Sequence, residues 1–211
     1  RKDRARARYN KHQDLLEMIG KTFGVQPRFV VALWGIETDF GRVLGGFDVI
    51  PALATLAHDG RRSAFFRKEL LDALTIIDQG HVSADNMKGS WAGAMGQSQF
   101  MPSSFRRYAQ DYDGDGRQDI WGTQGDVFAS AANYLKGSGW RDDITWGREV
   151  SLPDTGAASP SNAMNLHDSK TWKKLSEWSA LGIRKADGTA LPGRDLKSRL
   201  VLPDGADGRA Y

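Results

Sequence analysis

Hydrophobic residues recur at helical spacing near the start of this 211-residue chain. Between residues 10 and 23 they include Leu15, Leu16 and Ile19, which share one face of a helix. Gly24 follows at the position where a left-handed cap commonly ends a helix. The pattern therefore predicts a helix over 10–23 that packs one apolar face against the rest of the protein.

A second helix is predicted from Pro27 to Phe40, because proline suits a first helical position and Gly41 follows the last apolar residue. Its apolar stripe has helical spacing and consists of Phe29, Leu33, Ile36 and Phe40. Glu37 lies in the last turn of this helix, beside the stripe.

Four more helices are predicted over 52–58, 63–79, 103–110 and 126–136. In the second of these four, the residues expected to face inward are Phe66, Leu70, Leu74 and Ile77. In the last, they are Ala131, Tyr134 and Leu135. The chain up to about residue 140 is expected to be helical throughout.

After residue 140 glycine, proline and serine interrupt short β-prone runs at 148–152 and 199–202. A loop is predicted over 156–162 and a short helix over 171–180. We predict a mainly α (α+β) protein with a helical core at 1–140 and a small mixed α/β segment at 141–211. This second segment is expected to pack on the core.

Composition excludes several classes of function. The 29 basic and 26 acidic residues give a net charge of +3, too small to indicate a nucleic-acid-binding protein. Cysteine is absent, which excludes disulfides, thiolate metal sites and cysteine nucleophiles. No apolar run reaches the roughly 18 residues that a membrane span requires.

Glu37 is the first candidate for catalysis. An apolar setting and the negative end of the helix dipole would both favour its protonated form, as general-acid catalysis requires. The glycines that follow, at 41, 45 and 46, would leave open space for a substrate. The alternative is an ion pair between Glu37 and Arg42 or another arginine at the surface.

The segment 89–102 is rich in small residues and offers Ser90, Gln97 and Gln99 as neutral hydrogen-bonding groups. Such groups suit sugar hydroxyls and amides, so the segment could form the wall of a polysaccharide groove. The alternative is a close crossing of helices packed on small residues.

The stretch 111–119 has the carboxylate spacing of an EF-hand loop, with a glycine at its sixth position, Gly116. The usual glutamate at position 12 is replaced by Gly122, and the nearest carboxylate downstream is Asp126. A longer loop would bring Asp126 in as the closing ligand. This pattern favours a calcium site, and the alternative is a solvated acidic turn.

Several motifs together resemble the lytic murein transglycosylase B family, which is glycoside hydrolase family 103 and lysozyme-like. They are Trp34-Gly35-Ile36-Glu37-Thr38-Asp39-Phe40-Gly41, Phe47-Asp48-Val49-Ile50, Asp59-Gly60-Arg61-Arg62, Gly89-Ser90-Trp91-Ala92-Gly93-Ala94-Met95-Gly96, Gln99-Phe100-Met101-Pro102-Ser103-Ser104 and the acidic loop. The resemblance extends through Leu181-Gly182-Ile183-Arg184 and Leu202-Pro203-Asp204-Gly205 to nearly the whole chain.

The resemblance implies a lysozyme-like core that cleaves the β-1,4 bond between N-acetylmuramic acid and N-acetylglucosamine without water. Glu37 would protonate the leaving oxygen and then take the proton of the muramic acid C6 hydroxyl, which closes a 1,6-anhydro ring. One carboxylate serves both steps, in contrast to the two-carboxylate schemes of most glycosidases.

The same resemblance assigns the other site residues. Substrate binding falls to Ser90, Gln99 and Phe100. A structural Ca²⁺ ion would be held by Asp111, Asp113, Asp115, Arg117 through its carbonyl, Asp119 and Asp126, and catalysis would need no cofactor. Family members usually continue past the position of Tyr211 into a stretch that lines the cleft, so the groove is expected to be incomplete here.

The implied partners are peptidoglycan glycan strands and proteins of cell-wall synthesis or remodelling, in the periplasm or cell envelope. Two other functions remain open from the residues. One is a muramidase that admits water, and the other is a calcium-stabilised wall-binding module without activity.

Overall fold

The chain divides into two units, Arg1–Asp143 and Ile144–Tyr211, where the sequence predicted a division between 140 and 141. The computed structural model describes residues 2–164, 166 and 171–211. No helix in these described ranges is both long enough and apolar enough to cross a membrane.

The first unit is helical. Its helices are α1 (Lys2–Lys11), α2 (Gln13–Phe23), α3 (Pro27–Thr38), α4 (Val49–His58), α5 (Ser63–Asp78), α6 (Pro102–Tyr108) and α7 (Gln124–Gly137). Two short strands, β1 (Phe47–Asp48) and β2 (Lys88–Gly89), pair antiparallel. A single 3-10 turn at Ala84–Asn86 precedes β2.

The helix predicted over 10–23 is two helices in the structure, because the chain turns at His12 between α1 and α2. Helix α1 buries no residue fully, although Ala5 and Tyr9 pack against the core. Its charged sequence has no apolar periodicity, which is why the pattern did not predict it. Gly24 does cap α2 in the left-handed region, as predicted.

Helix α3 ends at Thr38, two residues before the predicted end, because Asp39 and Phe40 adopt left-handed backbone angles. Phe40 folds back into the core over Gly35, where a Cβ atom would lie 2.7 Å from its ring. The buried face of α3 is centred on Trp34, and Ile36 is 71% exposed. The prediction that Ile36 faces inward was therefore wrong.

Helix α5 packs against the core through Phe66, Leu70 and Ile77, as predicted, but Leu74 does not face inward. Glu69, Asp72, Ala73 and Ile76 are buried, whereas Leu74 is 45% exposed. The two buried carboxylates belong to the inward face as well, because α6 supplies them with hydrogen-bond partners. An apolar pattern does not reveal such polar partners.

The core of the first unit has two clusters. One joins α2, α3 and α7 and includes Leu16, Val30, Trp34 and Phe128. The other joins α4, α5, α6 and the loop before α6, and its buried members are Val49, Leu53, Ala73, Ile76, Met87, Met95, Phe100, Phe105, Ala109 and Ile120. In α7 Ala131 is buried and Tyr134 and Leu135 are partly buried, in line with the prediction.

The second unit is a small mixed α/β unit. Its elements are β3 (Val150–Ser151), α8 (Pro160–Ala163), β4 (Lys173–Lys174), α9 (Leu175–Ala180), β5 (Arg184–Lys185) and β6 (Lys197–Ser198), with β3 paired to β5 and β4 to β6. Helix α8 overlaps the predicted loop at 156–162, and the predicted helix at 171–180 begins only at Leu175. Strand β6 lies just before the predicted strand at 199–202, where Leu200 and Leu202 enter the unit's core.

Candidate active site and acidic loop

Glu37 lies in the last turn of α3, and its side chain is exposed. Within the part of the chain that the structure describes, its carboxylate has no hydrogen bond or ion pair to another side chain. The expected apolar surroundings are not observed, because the helix buries Val30, Trp34 and Thr38 and leaves Glu37 at the edge of that face. Its carboxylate is therefore free to meet a ligand from solvent.

The alternative of an ion pair with arginine is contradicted, because Asp39 takes that role. Nη1 of Arg42 lies 2.9 Å from Oδ2 of Asp39. Nη1 of Arg4 donates to both carboxylate oxygens of Asp39, at 2.7 and 2.5 Å. Asp39 thus binds both of these guanidinium groups, and Glu37 has no cationic partner among the described residues.

The turn after α3 packs tightly against the segment that precedes α6. A Cβ atom at Gly41 would lie 2.4 Å from Oε1 of Gln97, and one at Gly45 would lie 2.1 Å from the carbonyl oxygen of Gly89. Gly46 has nothing within 4 Å. Of the three glycines expected to leave open space, two instead permit close backbone contact.

Ser90 and Gln99 both shape this part of the site. Oγ of Ser90 accepts the backbone N–H of Ala94 at 3.0 Å and so holds a tight turn. Gln99 has a positive φ of 48°, and its Nε2 donates to the carbonyl of Leu44 at 3.2 Å. The bond of Gln99 joins the turn after α3 to the small-residue segment. Neither side chain bonds to Glu37 in the described residues.

Phe100 is a core residue. It is 4% exposed, and its ring lies 5.5 Å from that of Tyr134, centroid to centroid. A buried ring cannot stack on a sugar, so the assignment of Phe100 to substrate binding needs correction. Its neighbour Gln99 is partly exposed and remains the candidate from this motif.

A groove of about 470 Å³ begins where the turn after α3 ends. Its lining is Gly46, Phe47, Asp48, Pro51, Ala52, Thr55, Leu56 and Trp91. Phe47 and Trp91 are 56% and 63% exposed. The sequence pattern does not single out these two aromatic residues, because their types alone are more typical of a core. The signal that could have placed them at the site was their position in the sequence, since Phe47 directly follows Gly46 and Trp91 directly follows Ser90.

The acidic loop brings three of its predicted ligands together. One carboxylate oxygen from each of Asp111, Asp113 and Asp115 lies within 4.8 Å of the others. Asp111 accepts the backbone N–H groups of Gly114 and Gly116 at 2.7 and 2.8 Å, which curls the loop around its own first residue. This all-oxygen donor set fits a hard divalent cation.

Asp119 and Asp126 brace the ends of the loop. The fully buried Asp126 accepts the backbone N–H of Tyr112 at 2.8 Å and that of Asp119 at 2.7 Å. Burial raises the pKa of Asp126, and the charges of Asp113 and Asp111 add to the increase.

Asp119 accepts the N–H of Trp121 at 2.9 Å. The N–H of Arg117 donates to Asp115, which lowers the pKa of that carboxyl.

Comparison with known proteins gives consistent matches. Residues 1–211 match the family model described as Transglycosylase SLT domain. Membrane-bound lytic murein transglycosylase B of Escherichia coli K12 is 41% identical over 133 residues, which is 63% of this chain and 37% of that protein.

Two solved structures are also similar. SltB3 from Pseudomonas aeruginosa, in complex with NAG-anhNAM-pentapeptide, has a TM-score of 0.92 and 43% identity over 98% of this chain and 55% of that one. Lytic transglycosylase Slt35 of Escherichia coli, in complex with calcium, has a TM-score of 0.84 and 32% identity over 99% of this chain and 64% of that one. The chain therefore spans less than two thirds of each of these relatives. The matches confirm the predicted mainly α, lysozyme-like fold class.

Proposed function

The chain belongs to the transglycosylase SLT domain family, and on that premise we propose that it is a peptidoglycan lytic transglycosylase with Glu37 as its catalytic residue. The observation that carries the proposal is the carboxylate of Glu37, which is exposed, has no partner among the described residues and lies at the end of α3, just before a tightly packed turn. The substrate is the β-1,4 bond between N-acetylmuramic acid and N-acetylglucosamine.

In the first step the carboxylic acid of Glu37 donates its proton to the glycosidic oxygen as the C1–O bond breaks. In the second step the carboxylate takes the proton of the C6 hydroxyl, and O6 bonds to C1 to close the 1,6-anhydro ring. The proton count balances without water. Because Glu37 is exposed in the free protein, we propose that the bound glycan itself excludes water from the carboxylate.

Two features support glycan binding next to Glu37. Gln99 presents an amide beside the turn that follows α3, and Ser90 begins the turn that ends in Ala94. Phe47 and Trp91 offer exposed rings along the adjoining groove. Amides suit sugar hydroxyls and N-acetyl groups, and exposed aromatic rings in a groove are typical of a ligand site.

We also propose that the acidic loop binds calcium in a structural role. Asp111, Asp113 and Asp115 would provide the first ligands. The carbonyl of Arg117 and the carboxylates of Asp119 and Asp126 would complete the predicted set of six, a number that calcium accepts. When bound, the ion would neutralise the crowded carboxylates. Support comes from the donor set and from the calcium complex of Slt35.

Partners and location follow from the same proposal. The partners are glycan strands of peptidoglycan and, by the family resemblance, proteins of cell-wall synthesis or remodelling. The location is the periplasm or cell envelope, which agrees with the name of the membrane-bound relative.

The test of the catalytic role compares Glu37→Gln with the parent on purified sacculi. We expect the variant to lose at least about 100-fold in turnover, because the amide can neither donate nor accept the transferred proton. Asp14→Asn is the matched control, since Asp14 is an exposed carboxylate on α2 and should not affect turnover. Equal clearing of sacculi by all three proteins would remove Glu37 from the mechanism, whereas no clearing by any of them would favour the wall-binding module without activity.

A further inference from the structure

Gln97 is a polar side chain that bonds to α3, the helix that carries Glu37, and it is 6% exposed. Its Oε1 accepts the indole N–H of Trp34 at 2.7 Å, and its Nε2 donates to the carbonyl of Trp121 at 2.8 Å. Nε2 of Gln124 reaches the same Oε1 at 3.3 Å. The amide of Gln97 thus ties α3 to the residues that precede α7.

The backbone of Gln97 makes two more bonds to the same elements. Its carbonyl accepts Oγ1–H of Thr38 at 2.9 Å, and its N–H donates to the carbonyl of Ile120 at 2.8 Å. Thr38 follows Glu37 directly, and Trp34 lies one turn before it. Gln97 therefore holds the last turn of α3 from both sides of Glu37.

The tight turn after α3 is fitted to the same side chain. Thr38 accepts the backbone N–H of Gly41 at 3.1 Å, and a Cβ atom at Gly41 would lie 2.4 Å from Oε1 of Gln97. The backbone at Gly41 therefore lies directly against the amide. A different side chain at position 97 would leave this turn without its support.

These contacts also reach the acidic loop. Ile120 and Trp121, which bond to Gln97, follow Asp119 directly, and Asp119 accepts the N–H of Trp121 at 2.9 Å. A continuous series of hydrogen bonds therefore leads from the end of the acidic loop through Gln97 to the turn that carries Glu37.

We propose that Gln97 is a positioning residue for Glu37, acting through Trp34 and Thr38 and anchored on the end of the acidic loop. The proposal rests on the catalytic role of Glu37. Misplacing a catalytic group by about 1 Å can cost on the order of 100-fold in rate, so removing this support should lower kcat more than it raises KM.

The first test variant is Gln97→Met, which keeps the length of the side chain and loses both hydrogen bonds of the amide. We expect kcat to fall by about tenfold or more with KM within about twofold of the parent. Glu69→Leu is the matched control, because it also removes a buried polar side chain of the first unit, but one that supports α6. The control should lose stability and keep its kcat.

The second variant, Gln97→Glu, provides a rescue. A protonated carboxyl can accept from Trp34 and donate to Trp121, as the amide does, whereas an ionised carboxylate cannot donate. Burial favours the protonated form. Among the described residues, the hydrogen-bond partners of Gln97 carry no titratable side chain; they are Trp34, Thr38, Ile120, Trp121 and Gln124. The ratio of its kcat to that of the parent should therefore rise as the pH is lowered.

A readout independent of activity completes the experiment. Amide hydrogen exchange at Thr38–Gly41 should be faster in Gln97→Met than in the parent and unchanged in Glu69→Leu. Unchanged exchange at this turn, or a flat kcat ratio for Gln97→Glu across pH, would overturn the positioning role. An inactive parent would instead contradict the proposed function, and the exchange measurement would still test the position of the turn.

Discussion

Glu37 and Asp39 are two residues apart, but their surroundings are opposite. Asp39 caps α3 and pairs with Arg4 and Arg42, whereas Glu37 is exposed and unpaired in the described part of the chain. The left-handed turn at Asp39 and Phe40 separates the two side chains. Asp39 is consequently a residue that keeps arginine away from the catalytic candidate, and it is a poor second catalytic acid.

His12 provides a prediction at the scale of one residue. Burial against the rings of Trp34 and Phe128 lowers the pKa of His12, and the charges of Lys11 and Arg8 lower it further. Below the unfolded pKa of about 6.5 the unfolded chain therefore binds more protons than the folded chain. Stability from this group is present above that pH and is lost as the pH falls toward the folded pKa.

We expect the free energy of unfolding in urea to decrease between pH 7.5 and 5.5 in the parent. The decrease should be smaller in His12→Gln, which cannot take up a proton there. His58→Gln is the control, because His58 is exposed on α4. A parent and a His12→Gln variant with the same dependence on pH would contradict the explanation.

At the scale of elements, α5 and α6 are joined by buried polar contacts. Glu69 accepts the N–H of Ser103 at 2.8 Å and its hydroxyl at 2.7 Å, in the first turn of α6. Asp72 pairs with Lys68 and Arg106. Burial opposes the ionised form of Asp72, but these two cations hold its pKa below the usual value.

The prediction for this pair of helices concerns Glu69→Leu. The change leaves the buried donors of Ser103 without an acceptor, which should lower the free energy of unfolding by about 1–3 kcal/mol. Urea unfolding measures the difference. Leu74→Ala is the control on the same helix, because Leu74 is 45% exposed, and it should cost less. A larger loss of unfolding free energy from Leu74→Ala than from Glu69→Leu would contradict this and indicate that Leu74 faces the core, as the apolar pattern predicts.

The sequence pattern predicted the elements better than their contacts. Helices α2 to α7 were expected within a few residues of their bounds, because apolar spacing and the glycine and proline signals are local. Helix α1 was missed, since it has no apolar stripe. The wrong faces, at Ile36 and Leu74, arise where a left-handed turn or a buried carboxylate sets the orientation of the helix. Those causes depend on residues distant in the chain.

The candidate site shows the same limit. Glu37 and the acidic loop were recognised from short motifs. The exposure of the Glu37 side chain, in contrast, depends on how the whole of α3 packs. Gln97 was noted only as a neutral polar residue, because its five bonds join segments that are far apart in sequence. Phe100 was assigned to the site from a motif, but its side chain belongs to the core.

At the scale of the whole molecule, the acidic loop predicts a dependence of stability on calcium. The carboxylates of Asp111, Asp113 and Asp115 repel one another, and a bound cation would remove that repulsion. Because binding to the folded state alone stabilises it, saturating calcium should raise Tm by about 2 °C or more over a chelated sample. Asp113→Asn should reduce the increase. An identical Tm with calcium and with chelator would contradict a cation site in this loop.

We propose that this chain cleaves peptidoglycan by ring closure at O6 of muramic acid, with Glu37 moving the proton. The most direct measurement is mass spectrometry of the products after purified sacculi are digested with the parent protein. We expect muramic acid ends that are lighter by one water than hydrolysed ends, and none of them with Glu37→Gln. Reducing muramic acid ends as the main product would contradict it and identify a hydrolytic muramidase.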